Sequence, residues 1–176
     1  MIICPTRQRA EEAQRRVAVI LAPLGLALHP GKTRIADLRA GVEGFDFLGF
    51  HHHKVESWRW RGRWYLQRWP SIRAMRSIRG KVRALTDRRY VGEDWSVIVA
   101  NLNRVLRGWG GYFRNGSSGR KFAVIDSYVH ERRAILASRK HGRSGRNWAS
   151  RYGGAWFSHL SVYRLNGTIR REKAHA

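Results

Sequence analysis

The sequence predicts an α+β protein in which a part of mixed helices and strands is followed by a mainly α-helical bundle. Up to residue 68, glycines and prolines divide short segments that alternate in polarity. From 69 to 140, apolar residues recur at helical spacing instead. With 176 residues and 43% hydrophobic content, the chain can bury a core. We therefore divide it into residues 1–68, 69–140 and a basic C-terminal extension, 141–176.

The first part is predicted to contain one helix and several strands. Helical spacing begins at Thr6 and ends at Gly25, and "LALHPGKTRIADL" then alternates in polarity around a turn. "GFDFLGFHHHKV" has the pattern of one strand. "WRWRGRWYLQRW" has the pattern of a hairpin with its turn near Gly62, in which Trp58 and Trp60 share one face.

Three amphipathic helices are predicted in the second part. The first begins after Pro70 and Ser71, the second has Asp94 as its N-cap, and the third extends from about Arg120 to Lys140. Their predicted core stripes are Ile72, Met75, Ile78, Val82 and Leu85; Trp95, Ile98, Val99, Leu102, Val105, Leu106, Trp109 and Phe113; and Phe122, Ile125, Val129 and Leu136. Short connections between them favour a small bundle. Beyond it, "HGRSGRNWASRYGG" is predicted to be a linker and "WFSHLSVYRL" a last short element.

The charge of the chain indicates a polyanionic partner. Its 35 Lys and Arg against 12 Asp and Glu give a formal net charge of +23 and a pI of about 11.7. The excess is +6 over residues 1–68, +11 over 69–140 and +6 over 141–176. Arginine is interleaved with 8 Trp, 6 Tyr and 6 Phe, a mixture that suits phosphates and unstacked bases.

Several classes of protein are disfavoured by the composition. Cys4 is the only cysteine, so neither an internal disulfide nor a multi-cysteine zinc site is expected. No apolar stretch approaches the length of a membrane span, and the apolar start is too short for a signal peptide. We therefore expect no membrane association and a cytoplasmic location.

Motifs for nucleotide, metal or catalytic chemistry are weak. "HPGKT" lacks the glycine spacing of a phosphate-binding loop, and its proline removes a backbone amide. His51 and His53 would share a strand face, but no carboxylate or thiolate is spaced to complete a metal site. Asp46 lies in an apolar strand, and Glu93 and Asp94 mark a helix start, so no catalytic pair of carboxylates is evident.

The helices of the bundle carry the best candidates for nucleic-acid contacts. In the first, arginines form a stripe about a third of a turn from the apolar stripe: Arg73, Arg76, Arg79 and Arg83. In the second, "LRGWGGYFRNGSSGR" places Gly108 and Gly111 opposite the apolar stripe, on the side of Arg104 and next to Arg107. Bare backbone beside arginines would admit a phosphodiester chain. The alternative is that "GWGG" is only where the helix frays or kinks before the "NGSSG" loop.

Four segments together resemble the C-terminal half of a group II intron reverse transcriptase and maturase. They are "LGLALHPGKTRI", "GFDFLGF", "PSIRAMRSIRGKVRALT" and "LNRVLRGWGGYFRNGSSGRKFAVIDSYVHERR", in the family's order. The resemblance implies that residues 1–68 are the end of the polymerase palm, with Lys32 at its characteristic lysine. It implies a primer-grip strand at Phe47, Leu48, Gly49 and Phe50. Residues 69–140 would be the thumb and the maturase-specific domain X.

The departures from that family also carry expectations. The family's palm has a Tyr-Ala-Asp-Asp turn whose carboxylates hold Mg²⁺, followed by an apolar strand. Met1–Cys4 would be that strand, so the turn is missing, and neither polymerase activity nor a bound metal or other cofactor is expected. The zinc-bearing nuclease region of some members is also absent, because Cys4 is the only cysteine.

The resemblance implies an RNA-binding maturase fragment that assists intron folding and splicing and is not an enzyme on its own. Group II intron RNA is the expected partner, with a DNA target or an RNA/DNA duplex and self-association through the incomplete palm as further expectations. The candidate RNA-binding residues are Arg73, Arg76, Arg79, Arg83, Arg104, Arg107, Gly108, Gly111, Tyr112, Arg114, Arg120 and Lys121. Two alternatives stay open: a subunit of a polymerase completed by another chain, and an inactive relic of a mobile element.

Overall fold

A computed structural model describes residues 1–142 and 151–170. It contains four α-helices and a three-stranded antiparallel sheet in these residues, which confirms the α+β class. The chain forms two compact units. Unit 1 comprises Met1–Phe45 and His53–Leu66, and unit 2 comprises Asp46–His52 and Gln67–Ala176. The assignment of residues 1–68 to a polymerase palm stays a prediction.

Unit 1 contains the first helix, α1 (Arg7–Leu21), which is followed by a short 3-10 turn ending at Gly25. Thr6 is the N-cap, and its hydroxyl accepts a hydrogen bond from the Arg9 backbone N–H. Both ends of this predicted helix are confirmed. A turn at His29 follows, but its flanks are irregular, and residues 1–4 form no strand.

The sheet consists of β1 (Gly44–Phe47), β2 (Phe50–Glu56) and β3 (Trp64–Pro70), in that order. The prediction of one strand over "GFDFLGFHHHKV" was wrong, because a two-residue turn separates β1 from β2. Leu48 and Gly49 have φ angles of +48° and +78°, as a tight hairpin turn requires. The predicted hairpin around Gly62 exists between β2 and β3, but Trp58 and Trp60 lie in its loop and not on a strand.

Unit 2 contains the predicted bundle of three helices: α2 (Ile72–Leu85), α3 (Trp95–Phe113) and α4 (Gly119–Lys140). The predicted caps are confirmed, since Ser71 accepts from the Ala74 N–H and Asp94 accepts from the Ser96 N–H. Helix α2 packs against both α3 and α4.

The core of unit 2 follows the predicted stripes closely. Its fully or almost fully buried members are Met75, Ile78, Val82, Ile98, Leu102, Leu106, Phe113, Phe122, Ile125, Val129, Leu136 and Leu165. The stripe prediction was wrong for Ile72, which lies in the first turn of α2 and is 69% exposed. Leu85 is half-buried at the other end of the same helix.

The C-terminal segment packs on the bundle without forming a regular helix or strand over residues 152–170. Tyr152 and Phe157 pack against Ala134 and Ala137 in the second half of α4. Residues 143–150 of the predicted linker lie outside the described residues. No helix in the described part of the chain has the length and apolar character needed to cross a membrane.

Candidate nucleic-acid interface

Helix α2 buries one face and exposes the predicted arginine stripe. Met75, Ile78 and Val82 are buried on one side of the helix, so its opposite side faces solvent. All four predicted arginines are exposed, namely Arg73, Arg76, Arg79 and Arg83. The Arg79 guanidinium lies 5.7 Å from the ring centroid of Tyr128 on α4, a cation–π contact with a neutral ring.

Helix α3 presents a second basic face opposite its buried side. Arg104, Arg107, Gly108 and Gly111 are all exposed, as predicted. A Cβ added to Gly108 or Gly111 would meet no atom within 4 Å, so packing within the protein does not require glycine at either position. The helix continues through both glycines to Phe113.

Gly110, the third glycine of this run, has a different role. It is buried, and a Cβ added to it would lie 2.5 Å from Cδ2 of Leu165. Leu165 is fully buried against this point of α3. Gly110 therefore lets the C-terminal segment approach the helix closely, whereas Gly108 and Gly111 have no internal partner.

A similar exposed glycine on α2 was missed by sequence reasoning. Gly80 is exposed, and a Cβ added to it would meet nothing within 4 Å. It follows Arg76 by four residues, the spacing that also separates Arg104 from Gly108 and Arg107 from Gly111. Residues four apart are neighbours on a helix surface, so this spacing was the signal in the sequence.

Both guanidinium groups of the α3 face lie against neutral partners. Arg104 donates to Asn101 Oδ1 at 3.0 Å, and the Arg107 guanidinium lies 5.5 Å from the ring centroid of Tyr163. In residues 1–142 and 151–170, no salt bridge joins any of the predicted arginines to a carboxylate. Their positive charge therefore remains available to an anionic partner.

The candidates after α3 are less uniform. Arg120 is exposed, whereas Arg114 and Lys121 are half-buried. The Arg114 Nε atom is buried without a hydrogen-bond partner among the described residues, and its backbone carbonyl accepts from Arg170 N at 3.0 Å. Of these three cations, Arg120 is the best placed to reach a large partner.

Tyr112 is anchored rather than free. Its hydroxyl donates to the Leu48 carbonyl oxygen at 2.7 Å, and its ring centroid lies 5.5 Å from that of Phe50. The side chain is still 52% exposed. One side of the ring is therefore accessible at the edge of the α3 face.

The residues predicted as a primer grip form the β1–β2 turn and pack on the end of α3. The ring centroid of Phe50 lies 4.7 Å from that of Phe113, and a Cβ on Gly49 would be 3.4 Å from Phe113 Cζ. Phe47 and Leu48 are exposed. Their role as a primer grip stays a prediction.

Lys32 and the histidines of β2 are not part of helices α2 and α3. Lys32 is exposed in the turn of unit 1, where its backbone N–H donates to the His29 carbonyl. His51 Nδ1 lies 2.7 Å from Asp46 Oδ1, and burial together with the charge of Arg68 lowers the pKa of His52. Among the described residues, no three His, Cys, Asp or Glu side chains are grouped to hold a metal ion.

Comparison with known families relates most of unit 2 to one of them. Residues 75–153 match the family model described as "Group II intron, maturase-specific domain". Over these residues the chain is similar to the maturase-specific domain of group II intron proteins. The predicted resemblance to the C-terminal region of a group II intron maturase is thereby confirmed over these residues, and intron RNA is implied as the general class of partner. No curated protein matched the chain.

The matched residues include most of α2 and all of α3, the helices that carry the two basic faces. The match begins within α2, at Met75, and extends through α3 and α4. Gly80, Gly108 and Gly111 all lie inside it, as do the predicted arginines except Arg73, which precedes it by two residues. Most of the surface features that sequence and structure single out therefore lie in the segment that is similar to the maturase-specific domain.

Proposed function

We propose that the chain binds group II intron RNA through the exposed faces of α2 and α3, and that this binding assists the folding and splicing of the intron. The observation that carries the proposal is that exposed helical glycines lie four residues after exposed arginines, which form no salt bridge within residues 1–142 and 151–170. The role is one of binding. That the maturase-specific domain is not itself catalytic supports a function without an enzymatic step.

The exposed glycines support close contact with a backbone. A glycine inside a helix costs about 0.8–1 kcal/mol relative to alanine. Among the residues that the structure describes, no packing contact offsets this cost at Gly80, Gly108 or Gly111, because each would tolerate a Cβ. A surface without side chains lets a sugar–phosphate chain approach the helix, where the adjacent arginines can contact its phosphates.

The electrostatic character supports a polyanion with a folded shape. The net charge of +23 favours long-range attraction and counterion release. Two helices that pack against each other carry these faces, so the backbone positions of the arginines are set before binding. We infer that specificity arises from the shape of the RNA and its exposed loops. We propose that the same arginines also bind the DNA target or an RNA/DNA duplex. We further propose that the protein acts in the cytoplasm.

A titration with intron RNA across salt concentrations tests the proposal. If about six arginines contact phosphates, the logarithm of the association constant falls with the logarithm of salt concentration with a slope of roughly −4 to −5. An unrelated structured RNA of equal length is the control and binds more weakly at every salt concentration. Weak binding that does not depend on salt would refute the proposal.

We also propose that unit 1 mediates self-association. None of the side chains described in residues 1–66 is buried, and Val19, Ile20 and Leu24 are exposed on or just after α1. Apolar surface of this kind is a common site of protein contact. Light scattering at increasing protein concentration measures it; a monomer at the highest soluble concentration would exclude it.

A further inference from the structure

The loop that joins β2 to β3, Ser57–Arg63, exposes two tryptophans in unit 1. Trp58 is 90% exposed, more than any other large apolar side chain that the structure describes, and Trp60 is 54% exposed. Exposing an indole ring so completely leaves its hydrophobic surface in water, with no compensation from the protein. The loop is therefore a candidate contact surface.

Hydrogen bonds hold this loop in one conformation. The Ser57 hydroxyl accepts from the backbone N–H groups of Arg59 and Trp60 at 3.3 and 3.2 Å, and the Ser57 N–H donates to the Arg63 carbonyl at 2.8 Å. Glu56 Oε1 accepts from the Gly62 N–H at 2.7 Å, and Gly62 has a φ of +81°, which favours glycine. A defined backbone therefore presents Trp58 to the outside.

The arginines of the loop surround one ring and leave the other open. The guanidinium groups of Arg59 and Arg63 lie 5.1 and 5.6 Å from the ring centroid of Trp60. Arg59, Arg61 and Arg63 are all exposed, and no salt bridge in the described residues involves them. Three positive charges thus accompany the uncovered ring of Trp58.

We propose that the loop Ser57–Arg63 is a binding site for single-stranded RNA, in which an unpaired base stacks on Trp58 and the flanking phosphates contact Arg59, Arg61 and Arg63. An aromatic ring beside cations is the arrangement that binds unpaired nucleotides with little sequence preference. The strand must be single, because a base inside a duplex keeps its faces stacked on its neighbours. This site depends on the proposed function in one respect: the RNA that it binds naturally would be part of the intron.

A membrane surface also attracts tryptophan and arginine, but this loop fits it less well. Binding at a lipid interface depends on a continuous apolar face. Here the guanidinium groups of Arg59 and Arg63 lie against Trp60, the other apolar side chain of the loop, and they interrupt such a face. The observations therefore favour the nucleic acid.

The test uses an unstructured RNA oligonucleotide of about 12 nucleotides and the full chain, with binding followed by fluorescence anisotropy. Trp58→Ala is expected to weaken binding by about 5- to 100-fold, and Trp58→Phe to retain most of it. Tyr65→Ala, which removes an exposed ring from β3, is the matched control and leaves the affinity unchanged. Wild-type affinity in Trp58→Ala would overturn the proposal.

The phosphate contacts are tested by a second pair of variants with equal charge changes. Arg59→Ala/Arg61→Ala/Arg63→Ala should weaken oligonucleotide binding and reduce the steepness of its salt dependence. The control, Arg7→Ala/Arg15→Ala/Arg16→Ala, removes three positive charges from α1 that are already paired with glutamates. Equal losses in the two triple variants would overturn a local site and indicate a general effect of charge.

Two further measurements separate this site from the proposed function and from a membrane. Arg104→Glu/Arg107→Glu should no longer bind intron RNA but should still bind the oligonucleotide. The two proposals can therefore be refuted independently of each other. Vesicles of anionic phospholipid are the alternative partner. Binding to vesicles that depends on Trp58, with no such dependence for the oligonucleotide, would replace the RNA site with a lipid site.

Discussion

Gly110 on α3 lies directly against Leu165 of the C-terminal segment, so closely that a Cβ on the glycine would be 2.5 Å from Leu165 Cδ2. Leu165 is fully buried there, and its backbone N–H donates to Asp126 Oδ1 on α4 at 2.9 Å. The run Gly108, Gly110 and Gly111 therefore combines one glycine needed for packing with two that face outward.

Alanine at these three positions should separate stability from binding. Gly110→Ala is expected to lower the free energy of unfolding by roughly 1–2 kcal/mol, because crowding of Leu165 outweighs the gain in helix propensity. Gly108→Ala and Gly111→Ala should each raise it by about 0.5–1 kcal/mol and weaken intron RNA binding. Urea denaturation and RNA titration measure the two effects. If Gly108→Ala and Gly111→Ala are more stable but bind intron RNA with unchanged affinity, the exposed backbone at these glycines does not contact the RNA.

Asp126 should hold the C-terminal segment on the bundle. Its two carboxylate oxygens accept from the backbone N–H groups of Leu165 and Asn166 at 2.9 and 2.8 Å. Asp126→Ala removes both acceptors, at a cost of about 1–3 kcal/mol. We expect faster amide hydrogen exchange at Leu165 and Asn166, whereas Glu131→Ala, with the same charge change on the same helix, should leave it unchanged. Equal exchange in both variants would argue against this anchor.

Acid should weaken the packing of unit 2 through His130. Burial, and then the charge of Arg133, lowers the pKa of His130 from its ordinary value of about 6.5. The unfolded chain then binds more protons than the folded chain between the lowered pKa and 6.5, so stability is complete above about pH 6.5 and falls as the pH decreases. His130→Phe should flatten this dependence in urea denaturation at pH 5 to 8. An unaltered pH profile in that variant would exclude His130 as its source.

The arginine stripe on α2 should contribute to affinity without selecting among RNAs. Arg73→Ala/Arg76→Ala/Arg83→Ala removes three exposed cations and should make the salt dependence of intron RNA binding shallower by roughly two to three units of slope. The ratio of affinities for intron and control RNA should stay the same. If the salt slope stays the same, the phosphates do not contact this face.

Local features of the fold were predictable from the sequence, whereas distant contacts were not. Ser71 and Asp94 were identified as caps because a cap depends on its own residue and the next two or three. Burial of Ile78 and Leu102 followed from helical periodicity. The turn at Leu48 escaped prediction, since leucine with a positive φ is uncommon and no glycine pair marks the hairpin.

For the candidate site, the sequence located the exposed faces but not the partners of their residues. Helical spacing alone placed Arg104 and Gly111 opposite the core. The contact between Gly110 and Leu165 joins residues far apart in the chain, which spacing cannot reveal. The exposure of Trp58 also depended on the loop, because a strand would have placed it on a face of the sheet.

Reversal of charge on α3 tests the central claim most directly. In Arg104→Glu/Arg107→Glu, whose fold is checked by circular dichroism and urea denaturation, the affinity for intron RNA should fall by at least about 100-fold, because two phosphate contacts become repulsive. The control, Arg15→Glu/Arg16→Glu on α1, carries the same charge change and should lose much less. A folded Arg104→Glu/Arg107→Glu protein that binds intron RNA as tightly as the unmodified chain would contradict the account.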